Sequence, residues 1–225
     1  MRAFLLLVLG TLVFSLTPCP LPLVLAEPRS AKVAGAFYPD DPETLHRTVT
    51  ELLDRHPAPD PTIPSPHILI APHAGYEYSG PVAARAFREI QGRSYDAVII
   101  IGFTHQEPFE GTSVDDREAY QTPLGSIPVD LEIVRWLIQQ PGIVHHESAH
   151  TASEHSLEVM LPFLQVALAP RDGAGLGEFR LVPLLMGSQD IGNAQALADA
   201  LATLAGRGDY LFVFSTDLSH YHPYS

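Results

Sequence analysis

The sequence predicts one α/β domain with a mainly parallel sheet and helices on both faces. Four short aliphatic runs have the length and the β-branched content of buried strands, and they cover residues 68–71, 97–101, 179–185 and 210–214. Segments with helical periodicity separate these runs, and an alternation of strands and helices is typical of parallel sheets. The 225 residues are enough for one large core and too few for two.

The composition restricts both the partners and the ligands of the protein. Acidic residues outnumber basic ones by 26 to 13, and the net charge of −13 argues against nucleic acid as a partner. The only cysteine, Cys19, lies in an N-terminal segment that we expect to be removed. A metal ion in the mature protein would therefore need imidazole, carboxylate, hydroxyl or water ligands, and the chain has 11 histidines.

The first 26 residues have the pattern of a secretory signal peptide. Arg2 supplies a positive charge, residues 4–16 are apolar, and prolines interrupt the segment before a small-residue cleavage site that ends at Ala26. We expect cleavage after Ala26, export to the periplasm or the exterior, and no stable membrane anchor. If the start codon is mis-assigned, a cytoplasmic location is expected instead.

The first element of the domain is a helix that starts near residue 42. Asp40 or Asp41 can cap its amino end, and Pro42 suits its first turn. Apolar residues recur at helical spacing and form a stripe of Leu45, Val49, Leu52 and Leu53. The proline-rich residues 56–66 can form neither a helix nor a strand, so we expect a connector there.

The strand at residues 68–71 is followed by a loop and a second helix. Pro72 ends the strand, and Pro81 suits a helical first turn, so this helix is predicted over residues 82–90. The next strand, residues 97–101, leads into a polar, turn-rich stretch for which no regular element is predicted.

Two helices are predicted in the middle of the chain. Asp130 caps the first, and Ser153 can cap the second, which Pro162 must kink or delay. The buried side of the first carries Ile133, Val134, Leu137 and Ile138. The second has Leu157, Met160, Leu161, Leu164 and Leu168 at helical spacing. Three nearby histidines are expected at the surface: His145, His146 and His150.

The last elements continue the alternation. A strand at residues 179–185 precedes an alanine- and leucine-rich helix at residues 194–204, and the strand at residues 210–214 comes last. No glycine-rich phosphate loop, His-Glu-x-x-His motif or serine nucleophile elbow occurs in the sequence. These absences disfavour nucleotide hydrolysis, zincin-type proteolysis and serine hydrolysis.

Polar side chains follow three of the four predicted strands. His73 comes after the first strand, His105 after the second, and Asp217, Ser219 and His220 after the last. Because the carboxyl ends of parallel strands share one edge of a sheet, these side chains could meet. Two imidazoles and a carboxylate with an open position suit non-haem Fe(II). Each loop taken alone would also fit an ordinary strand-to-helix turn.

One more histidine lies within a charged stretch that precedes the Pro162 helix. His155 and Glu158 are three positions apart and would project together near the amino end of that helix. They would form either part of the site or a solvated first turn.

Six motifs occur in order along the chain. They are VAGAFYP at 33–39, APHAGY at 71–76, GxTH at 102–105, TPLG at 122–125, EHSLE at 154–158 and STDLSHY at 215–221. Together they resemble the Memo family, whose bacterial and archaeal members are called AmmeMemoRadiSam system protein B. The resemblance implies that residues 27–225 form a fold related to the class III extradiol dioxygenases, which use non-haem Fe(II).

The resemblance also implies roles for individual residues. His73 and His105 match the two metal-binding histidines of the family, and Glu154 and His155 line the same pocket. Animal members have a cysteine ligand at the position of Ser219. A serine hydroxyl is a much weaker ligand than a thiolate, so Asp217, His155 or water would help to complete the metal shell here.

Two further expectations come from the resemblance. Members of the family usually continue well beyond the last motif, so the chain is expected to lack the C-terminal part of the domain. A functional link with AMMECR-type and radical SAM proteins is also implied.

The residues and the resemblance lead to two main hypotheses for function. In the first, the protein is a metalloenzyme, redox or dioxygenase-like, that acts on a small or peptide-borne aromatic group. Its metal is Fe(II), with copper or zinc as alternatives, and His155, Glu154 and His220 are catalytic. In the second, the same cleft binds a metal or a peptide without catalysis. A zinc-dependent hydrolase is a third, weaker option.

Overall fold

Eight strands and six α-helices make up the part of the chain that the computed structural model describes, which is residues 27–151, 153–170 and 175–217. The helices are α1 (Pro42–Asp54), α2 (Tyr76–Arg88), α3 (Leu131–Leu137), α4 (Glu147–Thr151), α5 (Leu161–Ala167) and α6 (Ile191–Ala205). The strands are β1 (Ile68–Pro72), β2 (Ala97–Phe103), β3 (Thr112–Val114), β4 (Ala119–Thr122), β5 (Gly125–Pro128), β6 (Ile143–Val144), β7 (Leu181–Met186) and β8 (Tyr210–Thr216).

Three predictions fall on residues outside these ranges. They concern the signal peptide at residues 1–26, Ser219 and His220. Within the described ranges, no helix has both the length and the apolarity needed to cross a membrane.

The core of the fold is a six-stranded sheet in the order β1-β8-β2-β7-β3-β6. The four predicted strands are its parallel centre, because β8 pairs with β1 and β2, and β2 pairs with β7, all in parallel. The short β3 is antiparallel to β7 and parallel to β6, and β4 and β5 form a separate hairpin. Helices flank the sheet, and the predicted mainly parallel α/β domain is confirmed.

The two helices before β2 bury the surface that their sequences predict. Asp41 caps α1 through a hydrogen bond from the backbone N–H of Thr44 at 2.8 Å, and the predicted leucine and valine stripe is buried. Helix α2, however, begins at Tyr76 instead of residue 82, so Pro81 lies inside it. The apolar face that contacts the core starts at Tyr76, and its burial outweighs the backbone hydrogen bond that the proline removes.

The stretch between β2 and α3, for which no element was predicted, contains β3, β4 and β5. These strands are short and polar, so they lack the apolar run that identified the others. Thr112 shows how such a strand is accommodated, since its side chain is fully buried and donates a hydrogen bond to Asn193 at 3.1 Å. Ile138, predicted to be buried, is 40% exposed because α3 ends at Leu137.

Two predictions about the segment between α3 and α5 were wrong. His150 is 1% exposed, because Tyr120 and Ser113 lie within hydrogen-bond distance of its two ring nitrogens. Ser153 does not cap α5, which begins at Leu161 with Pro162 in its first turn and follows a 3₁₀ turn at Glu158–Met160. Pro162 therefore delays the helix, which was one of the two outcomes expected of it.

Candidate metal centre

His73 lies directly after β1 and is almost completely buried, with 1% of its surface exposed. Its Nδ1 is 2.8 Å from the hydroxyl of Ser215 on β8, and its Nε2 is 2.8 Å from Oδ1 of Asp217. The second contact is short, but its direction does not meet the requirements of a hydrogen bond, and Nε2 has no hydrogen-bond partner among the described residues. Burial lowers the pKa of His73 to about 4, although the charge of Asp217 opposes this effect.

The hydrogen-bond network around Ser215 assigns the tautomer of His73. The Ser215 hydroxyl donates its proton to the backbone carbonyl of Ser156, so its oxygen accepts from Nδ1–H of His73. The neutral ring then carries its lone pair on Nε2, which faces a carboxylate oxygen of Asp217. The lone pair of Nε2 and the carboxylate oxygen are 2.8 Å apart, and both are donors that a metal ion can bind.

His105 follows β2 and is held by two carboxylates. Glu154 accepts the backbone N–H of His105 at 2.6 Å and faces its Nδ1 at 3.0 Å, while Nε2 lies 3.0 Å from Oδ2 of Asp217. The hydrogen bond with Glu154, together with Asp217, raises the pKa of His105 to about 9 despite partial burial. In the metal-free protein at neutral pH, His105 is therefore an imidazolium.

His155 completes a group of three imidazoles. Its ring centroid lies 4.4 Å from that of His105 and 5.4 Å from that of His73, and the centroids of His73 and His105 are 5.1 Å apart. Each of the three rings offers one nitrogen, and these three atoms lie within 4.8 Å of one another. The expected convergence of His73 and His105 is therefore present. Burial, followed by the charge of His105, lowers the pKa of His155.

Glu154 is a buried carboxylate that faces the Nδ1 atoms of His105 and His155. Burial would raise its pKa, but hydrogen bonds from the ring and backbone of His105 and from the backbone N–H of Ser156 lower it to about 2. Its Oε1 is also 4.0 Å from Nδ1 of His155. A carboxylate that holds the far nitrogen of a histidine fixes the direction of that ring, as in many metal sites.

Five predicted site residues thus lie together in the structure. They are His73, His105, Glu154, His155 and Asp217. His155, which was assigned to acid–base catalysis, lies close enough to the other two rings to share an ion with them. The alternative of a solvated first turn is wrong for Glu158, because its carboxylate is fully buried against Arg29 and Tyr38.

The sequence analysis missed Ser215, which sets the tautomer of His73. Ser215 is the first residue of the motif at 215–221, but the motif assigned no role to its hydroxyl. Only the pairing of β1 with β8, which places Ala71 opposite Ser215, explains why its hydroxyl reaches His73.

The donor set of the site fits a transition-metal ion. Three imidazole nitrogens and the Asp217 carboxylate are donors that suit Fe(II), Zn(II) and Mn(II). His73 Nε2 has no hydrogen-bond partner among the described residues, so its lone pair is available to a metal ion. A second group, Asp115, Asp116 and His145, also has close donor atoms, but Asp115 is buried and accepts a hydrogen bond from Tyr120 at 2.8 Å. We therefore regard that second group as structural.

Comparison with known proteins agrees with the motifs. The sequence model of the Memo-like protein family matches residues 29–225. A MEMO1 family protein of Methanopyrus kandleri is 34% identical over 206 residues, which cover 87% of this chain and 70% of that protein. MEMO1 family proteins of Methanobrevibacter smithii and Methanothermobacter thermautotrophicus are 37% and 36% identical, over 86% and 87% of this chain and 70% of each relative. The chain therefore belongs to the Memo-like protein family.

Proposed function

We propose that the protein binds one transition-metal ion through His73, His105 and His155, and that it is a redox or dioxygenase-like metalloenzyme. The observation that carries the proposal is the pairing of the His73 Nε2 lone pair with a carboxylate oxygen of Asp217 at 2.8 Å. A metal ion can bind both of these atoms, and one nitrogen from each of the three imidazoles lies within 4.8 Å of the others, close enough for all three to bind the same ion.

In the proposed site, the ion would supply the chemistry, and Glu154 and Ser215 orient the imidazoles. A non-haem metal ion with open coordination positions would supply Lewis-acid chemistry and, in the case of Fe(II), redox chemistry. Glu154 holds the proton on Nδ1 of His105 and so directs Nε2 toward the ion. Ser215 does the same for His73.

One side of the site is accessible to solvent. The side chains of Asp217 and His105 are 28% and 26% exposed, whereas that of His73 is 2% exposed. We propose that a small-molecule or peptide ligand approaches from the side of Asp217 and His105. His155, with 16% of its side chain exposed, completes the metal site on this side. His220 is proposed as the acid or base that exchanges a proton with such a ligand.

Fe(II) is the metal that we propose, with zinc or copper as alternatives. Imidazole and carboxylate donors suit Fe(II), and the described residues contain no cysteine that would favour Cu(I). Binding affinity alone will not identify the native metal, because most nitrogen and oxygen sites bind Cu²⁺ and Zn²⁺ more tightly than Fe²⁺. The metal must therefore be measured in protein purified without added metal.

Elemental analysis of purified variants tests the metal site. His73→Ala, His105→Ala and His155→Ala should each lose most of the metal that the parent retains. His67→Ala is the matched control, because His67 is exposed and pairs with Asp209 before the start of β1. Equal metal content in all five proteins would contradict the proposal.

Dioxygen uptake tests the catalytic part of the proposal. Protein reconstituted with Fe(II) without oxygen, and then given oxygen and catechols, should consume dioxygen, and His155→Ala should not. Stoichiometric metal without turnover of any catechol would favour the alternative, a protein that binds metal or peptide in this cleft without catalysis.

We also propose that the protein is exported. The support is the charge, apolar run and cleavage pattern of residues 1–26. Mass spectrometry of protein from an exporting host should find Glu27 at the amino terminus, and a soluble protein that retains Met1 would contradict export.

A further inference from the structure

We propose that Arg29 and Glu158 are positioning residues that hold His155 in place by fastening residues 29–38 to residues 150–158. This inference rests on the proposed metal site, in which His155 is the third imidazole. The hydrogen bonds of Arg29 and Glu158 do not reach the rings of His73 and His105. We therefore expect both residues to affect the position of His155 through the backbone and through Phe37.

Arg29 holds the backbone on the amino side of His155. Its guanidinium is 4% exposed and donates through Nη2 to the carbonyl oxygen of Glu154 at 2.8 Å, which belongs to the peptide bond that leads into His155. Through Nε it donates to the carbonyl oxygen of His150 at 2.8 Å. The planar guanidinium thus fixes two carbonyl groups at once, and a third nitrogen binds Glu158.

Glu158 holds the N-terminal segment against the same region. Its carboxylate is fully buried and accepts hydrogen bonds from the backbone N–H groups of Lys32 and Val33, both at 2.9 Å. It also accepts from the hydroxyl of Tyr38 at 2.7 Å. Glu158 therefore holds residues 29–38 at two places, Lys32–Val33 and Tyr38. Phe37 is adjacent to Tyr38 in the chain.

Phe37 connects the segment of residues 29–38 to the imidazole of His155. Its ring centroid lies 4.5 Å from that of His155, which also lies 4.4 Å from that of His105 and 5.4 Å from that of His73. The carbonyl oxygen of Phe37 also accepts the N–H of Tyr76 at 2.8 Å, so the residue is held from both sides. The ring of His155 therefore packs against that of Phe37, and displacement of residues 29–38 would remove this contact.

Core stability alone does not account for the buried pair. Burial of two charges costs desolvation energy, and apolar side chains of similar volume often stabilise a core at least as well. What apolar side chains would not supply is the set of directional hydrogen bonds to the carbonyl of Glu154 and to the amides of Lys32 and Val33. The geometry of these bonds points to positioning.

Three variants test the proposal in the full chain. Arg29→Lys keeps the charge but loses the planar set of donors, Tyr38→Phe removes a single hydrogen bond to Glu158, and Phe37→Leu removes the ring beside His155. Thr112→Val is the control, because it breaks a buried hydrogen bond to Asn193 that touches no residue of the site. Tyr38→Phe keeps the test valid if Arg29→Lys does not fold.

Two measurements separate this inference from the proposed function. The first is the imidazole proton resonance of His155 in metal-free protein, assigned with His155→Gln, which reports the ring of Phe37 through its ring current. The second is metal affinity by competition with a chelator. We expect all three variants to shift the His155 resonance and to weaken metal binding about tenfold, and we expect Thr112→Val to change neither.

Each result has a defined meaning. If the parent binds no metal, the proposed function fails, but the resonance of His155 still decides whether Arg29 and Glu158 position it. If the His155 resonance is unchanged in folded Arg29→Lys and in Tyr38→Phe, the positioning role is overturned. If the resonance shifts while metal affinity stays at the parent value, the link between position and binding is overturned.

Discussion

Glu154 binds His105 twice, through the backbone N–H at 2.6 Å and through the ring Nδ1 at 3.0 Å. One carboxylate therefore sets both the place of the residue and the direction of its ring. Because Glu154 comes from the segment that also carries His155, the same contact ties the loop after β2 to the third imidazole.

Replacement of Glu154 by Gln should weaken metal binding about 10- to 100-fold, the usual effect of losing a carboxylate behind a histidine ligand. The neutral amide cannot hold the Nδ1 proton as strongly, so the pKa of His105 should also fall from about 9. Chelator competition measures the first effect and NMR titration the second. Glu43→Gln, in the first turn of α1, is the control, and an unchanged affinity in Glu154→Gln would argue against the support role.

Metal affinity should rise with pH between 7 and 9. His105, whose pKa is raised to about 9, must release a proton from its ring before Nε2 can bind an ion, so affinity should rise about tenfold per unit of pH in this range. His73, with a pKa lowered to about 4, is already neutral and contributes no slope. Chelator competition at pH 7, 8 and 9 tests this, and Glu154→Gln should flatten the profile. A flat profile in the parent would show that His105 is not a ligand.

The metal-free protein should lose stability as pH falls from about 6.5 to about 4. Burial lowers the pKa of His150 to about 4; the charge of Asp115 raises this pKa and the charge of Arg29 lowers it further. Between pH 4 and pH 6.5, His150 is therefore protonated in the unfolded chain and neutral in the folded protein. The contribution of His150 to the free energy of unfolding is fully present above pH 6.5, and it decreases as the pH falls from about 6.5 to about 4. His73 adds a loss in the same direction.

Urea unfolding at pH 7 and pH 5 measures this loss. His150→Phe should reduce the difference between the two pH values, whereas His67→Ala, at an exposed position, should leave it unchanged. The idea fails if His150→Phe retains the full difference seen in the parent.

Gly102→Ala should destabilise the protein by about 1–3 kcal/mol, the usual cost of adding atoms to a packed interior. A Cβ at Gly102 would lie 2.5 Å from Oγ of Ser156 and 2.8 Å from Cδ2 of Leu157. Because Gly102 lies near the end of β2 and packs against Ser156 and Leu157, next to Glu154 and His155 in the chain, metal affinity should fall as well. In Gly206→Ala the nearest atom is 3.7 Å away, so that variant is the control in urea unfolding. Equal stability of the two variants would contradict the close packing.

The fold could be predicted where a local pattern was long enough to be distinctive. The run at residues 97–101 is aliphatic, β-branched and fully buried in β2, and Asp41 with Pro42 marks the start of α1 correctly. The convergence of His73 and His105 followed from one rule, that parallel strands end at the same edge of a sheet.

The remaining features depend on residues that are distant in sequence. His150 looked like a surface histidine because nothing near it in the chain shows that Tyr120 and Ser113 will enclose it. The early start of α2 depends on the packing of Tyr76, which outweighs the local preference set by Pro81. Ser215 acquires its role only when β8 is placed beside β1.

The strand order determines when the proposed metal site can form during synthesis. Strand β8, nearly the last part of the described chain, lies between β1 and β2, so the strands that lead to His73 and His105 are not neighbours until it is inserted. A growing polypeptide cannot assemble the site before residues 210–217 have been synthesised. Contacts across such sequence distances also form slowly. An ion that binds the proposed site can therefore be enclosed by all of its side chains only after the central strand is in place.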